Sequence, residues 1–236
     1  MQHLPFWLPL LFILITFCSI SIFYFASGKR TILLVIILSL LLVEAGLGLT
    51  GFFTKTAGIP PRLALLVLPP LLFIIGLFIS AKGRSFIDSL DMATLTILHT
   101  IRIGVEIVLF GLFLYKAVPG LMTFEGRNID IISGLSAPFV YYFGYKKAKL
   151  PSAVILGWNL LCLAILLFTV INAILSAPTP LQQWAFDQPM VAILYFPFVW
   201  LPGIVVPLVI LSHLSAIRQL VKSLLLKKQT RVTLAI

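Results

Sequence analysis

The run MATLTILHTIRIGVEIVLFGLFLY, from Met92 to Tyr115, decides the fold class of this chain. It is apolar over a length that exceeds the roughly 20 residues an α-helix needs to cross the hydrocarbon core of a bilayer. Its interior carries three ionisable side chains, His99, Arg102 and Glu106, whose spacing places them on one face of a helix. The run therefore predicts a membrane-spanning helix with one polar face.

The rest of the chain has the same apolar character. Of its 236 residues, 61% are hydrophobic and 10% are charged, and the mean hydropathy is +1.15. A typical soluble domain is about 45–50% apolar and about 25% charged. We predict an all-α polytopic integral membrane protein, with one transmembrane domain over residues 1–213 and a basic cytoplasmic amphipathic tail over residues 214–236. The seven predicted transmembrane helices are Leu4–Ala26, Thr31–Phe53, Arg62–Ser80, Met92–Tyr115, Ile129–Tyr145, Ser152–Leu175 and Pro189–His213.

The fifth predicted span is the weakest of the seven. Its apolar part is short and contains Gly134, Pro138 and Gly144. A re-entrant segment covered by its protein neighbours is therefore an alternative to a full crossing. The alternative count is six spans and a hairpin.

The basic residues predict the direction of the spans. Residues 1–28 contain no Lys or Arg, and Lys29 and Arg30 follow the first run, which reverses the order found in a signal peptide. Twelve Lys and Arg residues lie in the tail and one set of alternate loops, and four lie in the other set. The positive-inside rule then puts the N-terminus outside and the C-terminus in the cytoplasm, and we expect a bacterial cytoplasmic (inner) membrane. The net charge of +10 is explained by span ends that face anionic lipid headgroups, so we expect no nucleic-acid partner.

Two segments of the chain share a proline pattern. Residues 61–69 and 189–197 both read P-x-x-A-[LI]-L-x-x-P, and at nearly the same offset Glu44 aligns with Asn172. The paired spans run in the same direction, so the pattern indicates a parallel repeat of three spans, a linker span and three spans.

This 3+1+3 arrangement resembles the sugar-exporter (SWEET) and PQ-loop families of small-solute carriers. Pro9-Leu10 and Pro138-Phe139 stand where those families have a Pro-Gln pair. The resemblance implies that matched proline bends act as hinges of a carrier; the alternative is chance alignment of apolar spans.

A further ionisable residue, Glu44, lies within the second predicted span. Counting along each helix places Glu44, Arg102 and Glu106 at similar depths, so we expect them to meet near the middle of the membrane. Two carboxylates around one guanidinium leave one negative charge, which favours a cation or a shared proton. His99 and Asn172 are further candidates for this substrate or ion site. The alternative interpretation is a structural ion pair that holds helices together.

The loop before the fifth span reads MTFEGRNID over residues 122–130. Its charged residues Glu125, Arg127 and Asp130 are candidates for an outward gate or ligand lid, and ordinary loop salt bridges are the alternative. Together with LHTIRI at residues 98–103, this string resembles families of uncharacterised bacterial seven-span membrane proteins. That resemblance implies no activity.

Several chemistries find little support in the sequence. No span interior contains the Lys that a retinal Schiff base needs. The three histidines His3, His99 and His213 are too few and too scattered for an intramembrane zinc site. A haem held between His99 and His213 is a weaker option. We predict no catalytic residues, no metal and no cofactor.

The leading functional prediction is transport of a small polar solute or cation through a mid-membrane polar site. One alternative is a membrane-embedded enzyme or sensor that acts on a lipid or lipid-linked substrate, with His99 as proton carrier. Another is a structural or assembly protein without a ligand. Oligomerisation stays open.

Overall fold

A computed structural model of the chain describes residues 4–233, and this range consists of helices and loops without a β-strand. Residues 1–3 of the predicted membrane domain, including His3, and residues 234–236 of the predicted tail lie outside the described residues. The nine α-helices of this range are α1 (Trp7–Ala26), α2 (Thr31–Leu49), α3 (Ala64–Ile79), α4 (Ala81–Asp88), α5 (Met92–Leu98), α6 (Ile101–Leu114), α7 (Ile131–Val140), α8 (Ser152–Ser176) and α9 (Val206–Thr233). Two π-helical turns extend α7 and precede α9, at Tyr141–Lys146 and Leu201–Val205, and 3-10 turns lie at Phe52–Thr54, Gly120–Met122 and Ala192–Leu194.

The prediction of a helical membrane protein with several apolar spans is confirmed. Five helical segments are long and apolar enough to cross a bilayer, and a sixth is added if α3 and α4, which meet at an angle of 94°, form one broken span. The five segments are Trp7–Ala26, Thr31–Leu49, Met92–Leu114, Ser152–Ser176 and Leu201–Thr230.

The predicted fifth span forms a 10-residue α-helix, α7, followed directly by a 6-residue π-helical turn. At a rise of 1.5 Å per residue this segment extends about 24 Å, which is less than the roughly 30 Å of a bilayer core. The count of seven spans therefore stays a prediction. So does the internal repeat, and the two aligned segments differ locally, because α3 is a regular helix where residues 189–197 form loops and a 3-10 turn.

The bundle packs α1 against α5 and α6, and α8 along α9. Leu8, Phe12 and Phe23 of α1 are almost completely buried there. Helix α2 lies at the edge and leaves most of its apolar surface uncovered by protein, which is the favourable state for a helix that contacts lipid tails.

At one end of the bundle the basic segments converge. Arg30 donates to the Ser89 hydroxyl at 2.9 Å. Asp88 accepts hydrogen bonds from Arg218 at 2.8 Å and from Lys222 at 2.9 Å. Helix α9 continues without a break across residue 213, where the sequence predicts the end of the membrane domain, and these contacts attach its extension to α4.

At the opposite end the remaining long connections meet. The carbonyl of Ala117 accepts from the amides of Val191 and Ala192, at 3.1 and 3.0 Å. The Gln188 side chain donates to the carbonyls of Phe113 and Val118, at 3.1 and 2.6 Å. The loop after α6 and the loop before the Leu201–Val205 turn are therefore joined by hydrogen bonds at this end of the bundle.

The sharp bend between α3 and α4 depends on a glycine. The Ser80 hydroxyl accepts from the Gly83 amide at 3.0 Å and begins α4. A Cβ added to Gly83 would overlap the backbone of Leu77, and backbone cannot move aside as a side-chain end can. Only glycine permits this approach.

We predict that Gly83→Ala destabilises the protein by about 1–3 kcal/mol, because the bend must open to admit the methyl group. Gly76→Ala in α3 is the matched control, since its Cβ would meet open space and alanine favours a helix by about 0.5–1 kcal/mol. Thermal unfolding of both variants in detergent measures the difference. Equal melting temperatures would show that the bend is not fixed by this contact.

Candidate functional site

The guanidinium of Arg102 is the centre of a polar cluster inside the bundle. Arg102 lies in α6 and is 3% exposed. Its Nε donates to Asp130 Oδ2 at 2.6 Å, and its Nη2 pairs with Oδ1 of the same carboxylate. The pair is bidentate, which is the strongest geometry available to these two groups.

A glycine in α7 allows this pair to form. A Cβ on Gly134 would lie 3.0 Å from the backbone nitrogen of Ile103, so α7 approaches α6 closely at the level of Arg102. Asp130 begins α7 one turn before Gly134. The close approach therefore brings the carboxylate onto the guanidinium.

The other side of the guanidinium contacts a histidine. Arg102 Nη1 lies 3.1 Å from Nε2 of His213 in α9, and His213 Nδ1 lies 3.0 Å from Oδ1 of Asn159 in α8. A guanidinium can only donate, so Nε2 accepts and the proton of this neutral histidine resides on Nδ1. Nδ1 then donates to Asn159, whose own amide nitrogen donates to the Ile155 carbonyl at 2.9 Å. The charge of Arg102 is thus tied to α7, α8 and α9.

His99 covers this chain of hydrogen bonds from the side of α5. Its ring stacks on the His213 ring with centroids 3.8 Å apart and an interplanar angle of 12°, and the Trp158 ring lies 5.6 Å from it. Within residues 4–233 its Nδ1 has no hydrogen-bond partner. Two axial haem ligands would approach one iron from opposite faces, which this parallel stack with both His213 nitrogens engaged does not allow.

Glu106, one turn beyond Arg102, belongs to a second branch of the cluster. Its Oε1 accepts from the Asn128 amide at 2.6 Å. Asn128 Oδ1 in turn accepts from the Thr169 hydroxyl at 3.0 Å and from the Asp130 amide at 3.1 Å. The other carboxyl oxygen, Oε2, is buried and has no hydrogen-bond partner in the described part of the chain.

A cavity of about 90 Å³ lies beside this branch. Its polar lining comes from Glu106, Asp130 and Thr169, and its remaining walls are apolar residues of α3, α6, α8 and the segment around Pro202. Such a volume holds several water molecules, or one small ion with part of its hydration shell. We call this space the acidic cavity.

The charges around the acidic cavity leave one acid without a counterion. Arg102 and Asp130 neutralise each other through their bidentate pair. Glu106 is bonded only to the neutral Asn128. The arrangement can therefore hold either a proton on Glu106 or a small cation next to it.

Glu44 belongs neither to the Arg102 cluster nor to the lining of the acidic cavity. It is 3% exposed, its carboxyl lies directly against the Cα of Gly203, and neither of its oxygens has a hydrogen-bond partner among residues 4–233. The expected meeting of Glu44, Arg102 and Glu106 is not what the structure shows, because Asp130 occupies the place beside Arg102. Counting residues along a helix gives depth in the membrane but not the direction in which a side chain points.

The other predicted site residues are distributed over the molecule. Asn172 turns back to its own helix and donates to the Phe168 carbonyl at 2.8 Å. Glu125 and Arg127 are exposed, and in the described residues their side chains form no hydrogen bond or ion pair. Of the three predicted outer-loop residues, only Asp130 reaches the cluster.

Three members of the site are not predicted from the sequence: Asn128 and Thr169 in the Glu106 branch, and Asn159 beside His213. Asn128 lies among charged loop residues, and an amide two residues before an acid can bind neighbouring groups. Thr169 is an isolated hydroxyl in a long apolar helix. Its position carries no sequence signal that distinguishes it from a threonine bonded to its own backbone.

Fold and site together define a polytopic helical membrane protein with a buried ionic cluster. The family model described as "Domain of unknown function (DUF8737)" matches residues 59–221, and the chain belongs to that family. The matched range contains the whole Arg102 cluster and every residue that lines the acidic cavity. It contains no residue of α1 or α2, so Glu44 lies outside it. Comparisons with curated proteins and with solved structures find no significant match.

We predict that Asp130→Asn destabilises the protein by about 3–5 kcal/mol, because it leaves a buried guanidinium without its counterion. Arg102→Gln combined with Asp130→Asn should cost less than the sum of the two single changes, since the double variant buries no unpaired charge. Thermal unfolding measures all three. Glu125→Gln in the same loop is the control, because its side chain is exposed and a surface change costs within about 0.5 kcal/mol. A melting temperature of Asp130→Asn equal to that of Glu125→Gln would contradict the prediction.

Proposed function

We propose that this protein transports a small cation across the membrane and binds it in the acidic cavity. The observation that carries the proposal is Oε2 of Glu106, a buried acceptor that has no donor among residues 4–233 and lies at a cavity of about 90 Å³. Thr169 and Asp130 supply further oxygens on the same wall. Carboxylate and hydroxyl oxygens suit hard cations, and the single excess negative charge of the cavity favours a monovalent cation or a small ammonium compound.

The size and charge of the cavity support a small cation over a neutral polar solute. Of the two acids that line the cavity, Glu106 and Asp130, only Glu106 is outside an ion pair, and no group of three or more His, Cys, Asp or Glu side chains in residues 4–233 is placed to hold a metal ion. A single net negative charge favours a single positive charge in an apolar surrounding. The mostly apolar walls also offer no second donor set for a sugar or an amino acid.

Helix interruptions next to the cavity support transport. Leu201 and Pro202 line it, and they belong to the π-helical turn that precedes α9. Broken helices near a buried site are typical of carriers, because the break can change while the flanking helices stay intact. Three prolines, Pro197, Pro202 and Pro207, lie in or next to this turn, and a proline permits a bend in a helix.

A structural role is the second candidate, and the closed Arg102–Asp130 pair favours it. The side-chain partners of Arg102 come from α7, α8 and α9, so the pair can hold these helices against α6. An enzyme or sensor that uses His99 finds less support, since His99 is 1% exposed and lies behind His213 and Trp158. Stabilisation by a cation, measured in the native protein and in Glu106→Gln, distinguishes transport from a structural role.

Seven crossings with the N-terminus outside and the C-terminus in the cytoplasm of a bacterial cell are part of the proposal. Two observations support this orientation. The segments rich in Lys and Arg meet at one end of the bundle, where Arg30 and Arg218 contact the region of Asp88. The loop of Glu125 and the loop of Gln188 belong to the opposite end. The 3+1+3 repeat stays a prediction within this proposal.

We predict that a small cation raises the melting temperature of the purified protein. Sodium, potassium, ammonium and methylammonium chlorides are compared at equal ionic strength, with a bulky organic cation as the balancing salt. A cation present at 100 times its dissociation constant stabilises the folded state by about 2.7 kcal/mol. The shift should disappear in Glu106→Gln, because this change removes the charge. The amide oxygen of the new side chain can still accept the hydrogen bond from Asn128.

Glu125→Gln is the matched control for this experiment, because it removes an exposed acid and leaves the acidic cavity unchanged. It should keep the full shift. If no cation stabilises the protein and Glu106→Gln only changes its basal stability, the structural role is favoured. Uptake of the stabilising cation into proteoliposomes, compared between the native protein and Glu106→Gln, then tests movement as distinct from binding.

The topology predicts the side from which single cysteines react. In a background with Cys18→Ala and Cys162→Ala, Thr56→Cys and Glu125→Cys should react with a membrane-impermeant maleimide added to intact cells. Lys29→Cys and Lys147→Cys should react only after permeabilisation. Reaction of Glu125→Cys and Lys147→Cys from the same side would show that residues 131–146 do not cross.

A further inference from the structure

We propose that Glu44 is a proton-binding site, separate from the acidic cavity, whose carboxyl group is protonated in this structure. Loss of this proton moves α2 away from the π-helical turn at Leu201–Val205. The side chain of Glu44 is almost completely covered by protein, and neither carboxyl oxygen has a hydrogen-bond partner in residues 4–233. Its carboxyl fits against Gly203 only because that residue has no side chain, since a Cβ would overlap both oxygens.

The surroundings of Glu44 contain nothing that would neutralise an ionised carboxylate. Among the elements packed around it, α1 carries the titratable residues Cys18 and Tyr24, and Tyr195 lies in the segment that leads into the turn. Helix α9, which follows the turn, carries His213 and then the basic residues from Arg218 onward. None of them is bonded to Glu44, and α3 and the Phe52–Thr54 turn carry no titratable residue. A carboxylate at this position would be desolvated and unpaired, so this arrangement of α2 fits the neutral, protonated acid.

Few contacts hold α2 at the turn. The Trp200 indole donates to the Leu41 carbonyl at 3.0 Å, and a Cβ on Gly48 would lie 3.2 Å from Val199 Cγ2. The rest of α2 is largely uncovered by protein. When Glu44 releases its proton to water, the charge can be hydrated only if α2 separates from Gly203 far enough for water to enter between them, and this separation gives up little packing.

The turn that meets Glu44 also forms a wall of the acidic cavity. Leu201 and Pro202 line that cavity, whereas Gly203 and Ile204 line a second, apolar cavity of about 210 Å³ between α2, α3 and α9. A displacement of the turn therefore changes both spaces. Coupling of proton release at Glu44 to cation binding near Glu106 follows from this shared wall; the coupling rests on the proposed function, but the proton site does not.

Infrared spectroscopy of the full-length protein in lipid nanodiscs tests the proton site. The carbonyl band of protonated carboxyl groups is recorded as the pH is raised from about 5 to about 9, a range that extends above the ordinary ionisation of an exposed carboxyl. We expect Glu44→Gln to lose one component of this band that the native protein shows, and Glu44→Met, which also has a neutral side chain, to lose the same component. If both variants retain the whole band at every pH, Glu44 holds no proton and the proposal is overturned.

Glu106→Gln keeps this test separate from the proposed function. The Glu44 component should persist in Glu106→Gln, even if that variant loses the melting shift produced by cations. Loss of the cation shift with a persistent Glu44 component supports both sites. A persistent component without any cation shift in the native protein supports the proton site and overturns the cation site.

A cross-link tests the movement of α2. In the background with Cys18→Ala and Cys162→Ala, Gly48→Cys is combined with Val199→Cys, and oxidation then joins α2 to the segment before the turn. We expect the Glu44 component to persist to a pH higher by about one unit or more in the oxidised than in the reduced protein, because the charged form can no longer be hydrated. Identical titrations of the two forms would show that proton release does not require α2 to move.

Discussion

The structure depends on the need to neutralise one arginine inside a membrane helix. An arginine at the centre of a span costs about 2.5–3.5 kcal/mol on insertion scales, and more where it cannot reach water. Arg102 of α6 is almost completely buried, and its side-chain partners come from three other elements, α7, α8 and α9. The approach of α7, the inward course of the loop before it and the registers of α8 and α9 are all adjusted to one guanidinium.

Because Asp130 neutralises Arg102, the chemistry of the site is determined by the remaining acid, Glu106. Glu106 receives one hydrogen bond from Asn128 and keeps one free oxygen at the acidic cavity. The same loop residue, Asn128, also contacts Thr169 and the amide of Asp130. The loop therefore serves both the closed ion pair and the open acid, so that a change in one is transmitted to the other through a single amide.

Much of the fold could be predicted from the sequence, since an apolar run long enough to cross a bilayer has few alternatives to a helix. The members of the site were predicted in part: Arg102, Glu106 and Asp130 were all named, but the pairing of Arg102 with Asp130 was not. Asp130 belongs to a loop that the charge pattern assigns to the surface, and its inward course depends on tertiary contacts such as the approach of Gly126 to the backbone of Gly120. The sequence predicts one span from Pro189 to His213, whereas α9 begins at Val206 after a π-helical turn. Pro202 and Pro207 lack amide donors, which gives the break a local cause, but the neighbours that the break contacts depend on tertiary packing.

Two buried acids on opposite faces of one π-helical turn can influence each other only if that turn has two arrangements. Pro202 in the turn and Pro207 just after it lack the amide donors that would hold a regular helix in a single register, and Gly203 has no side chain that would keep α2 at a distance. A regular α-helix at residues 201–205 would separate Glu44 from the acidic cavity by a rigid wall. The interruption leaves this wall without the regular hydrogen bonds of α9, while the Arg102 cluster holds α6, α7, α8 and α9 together.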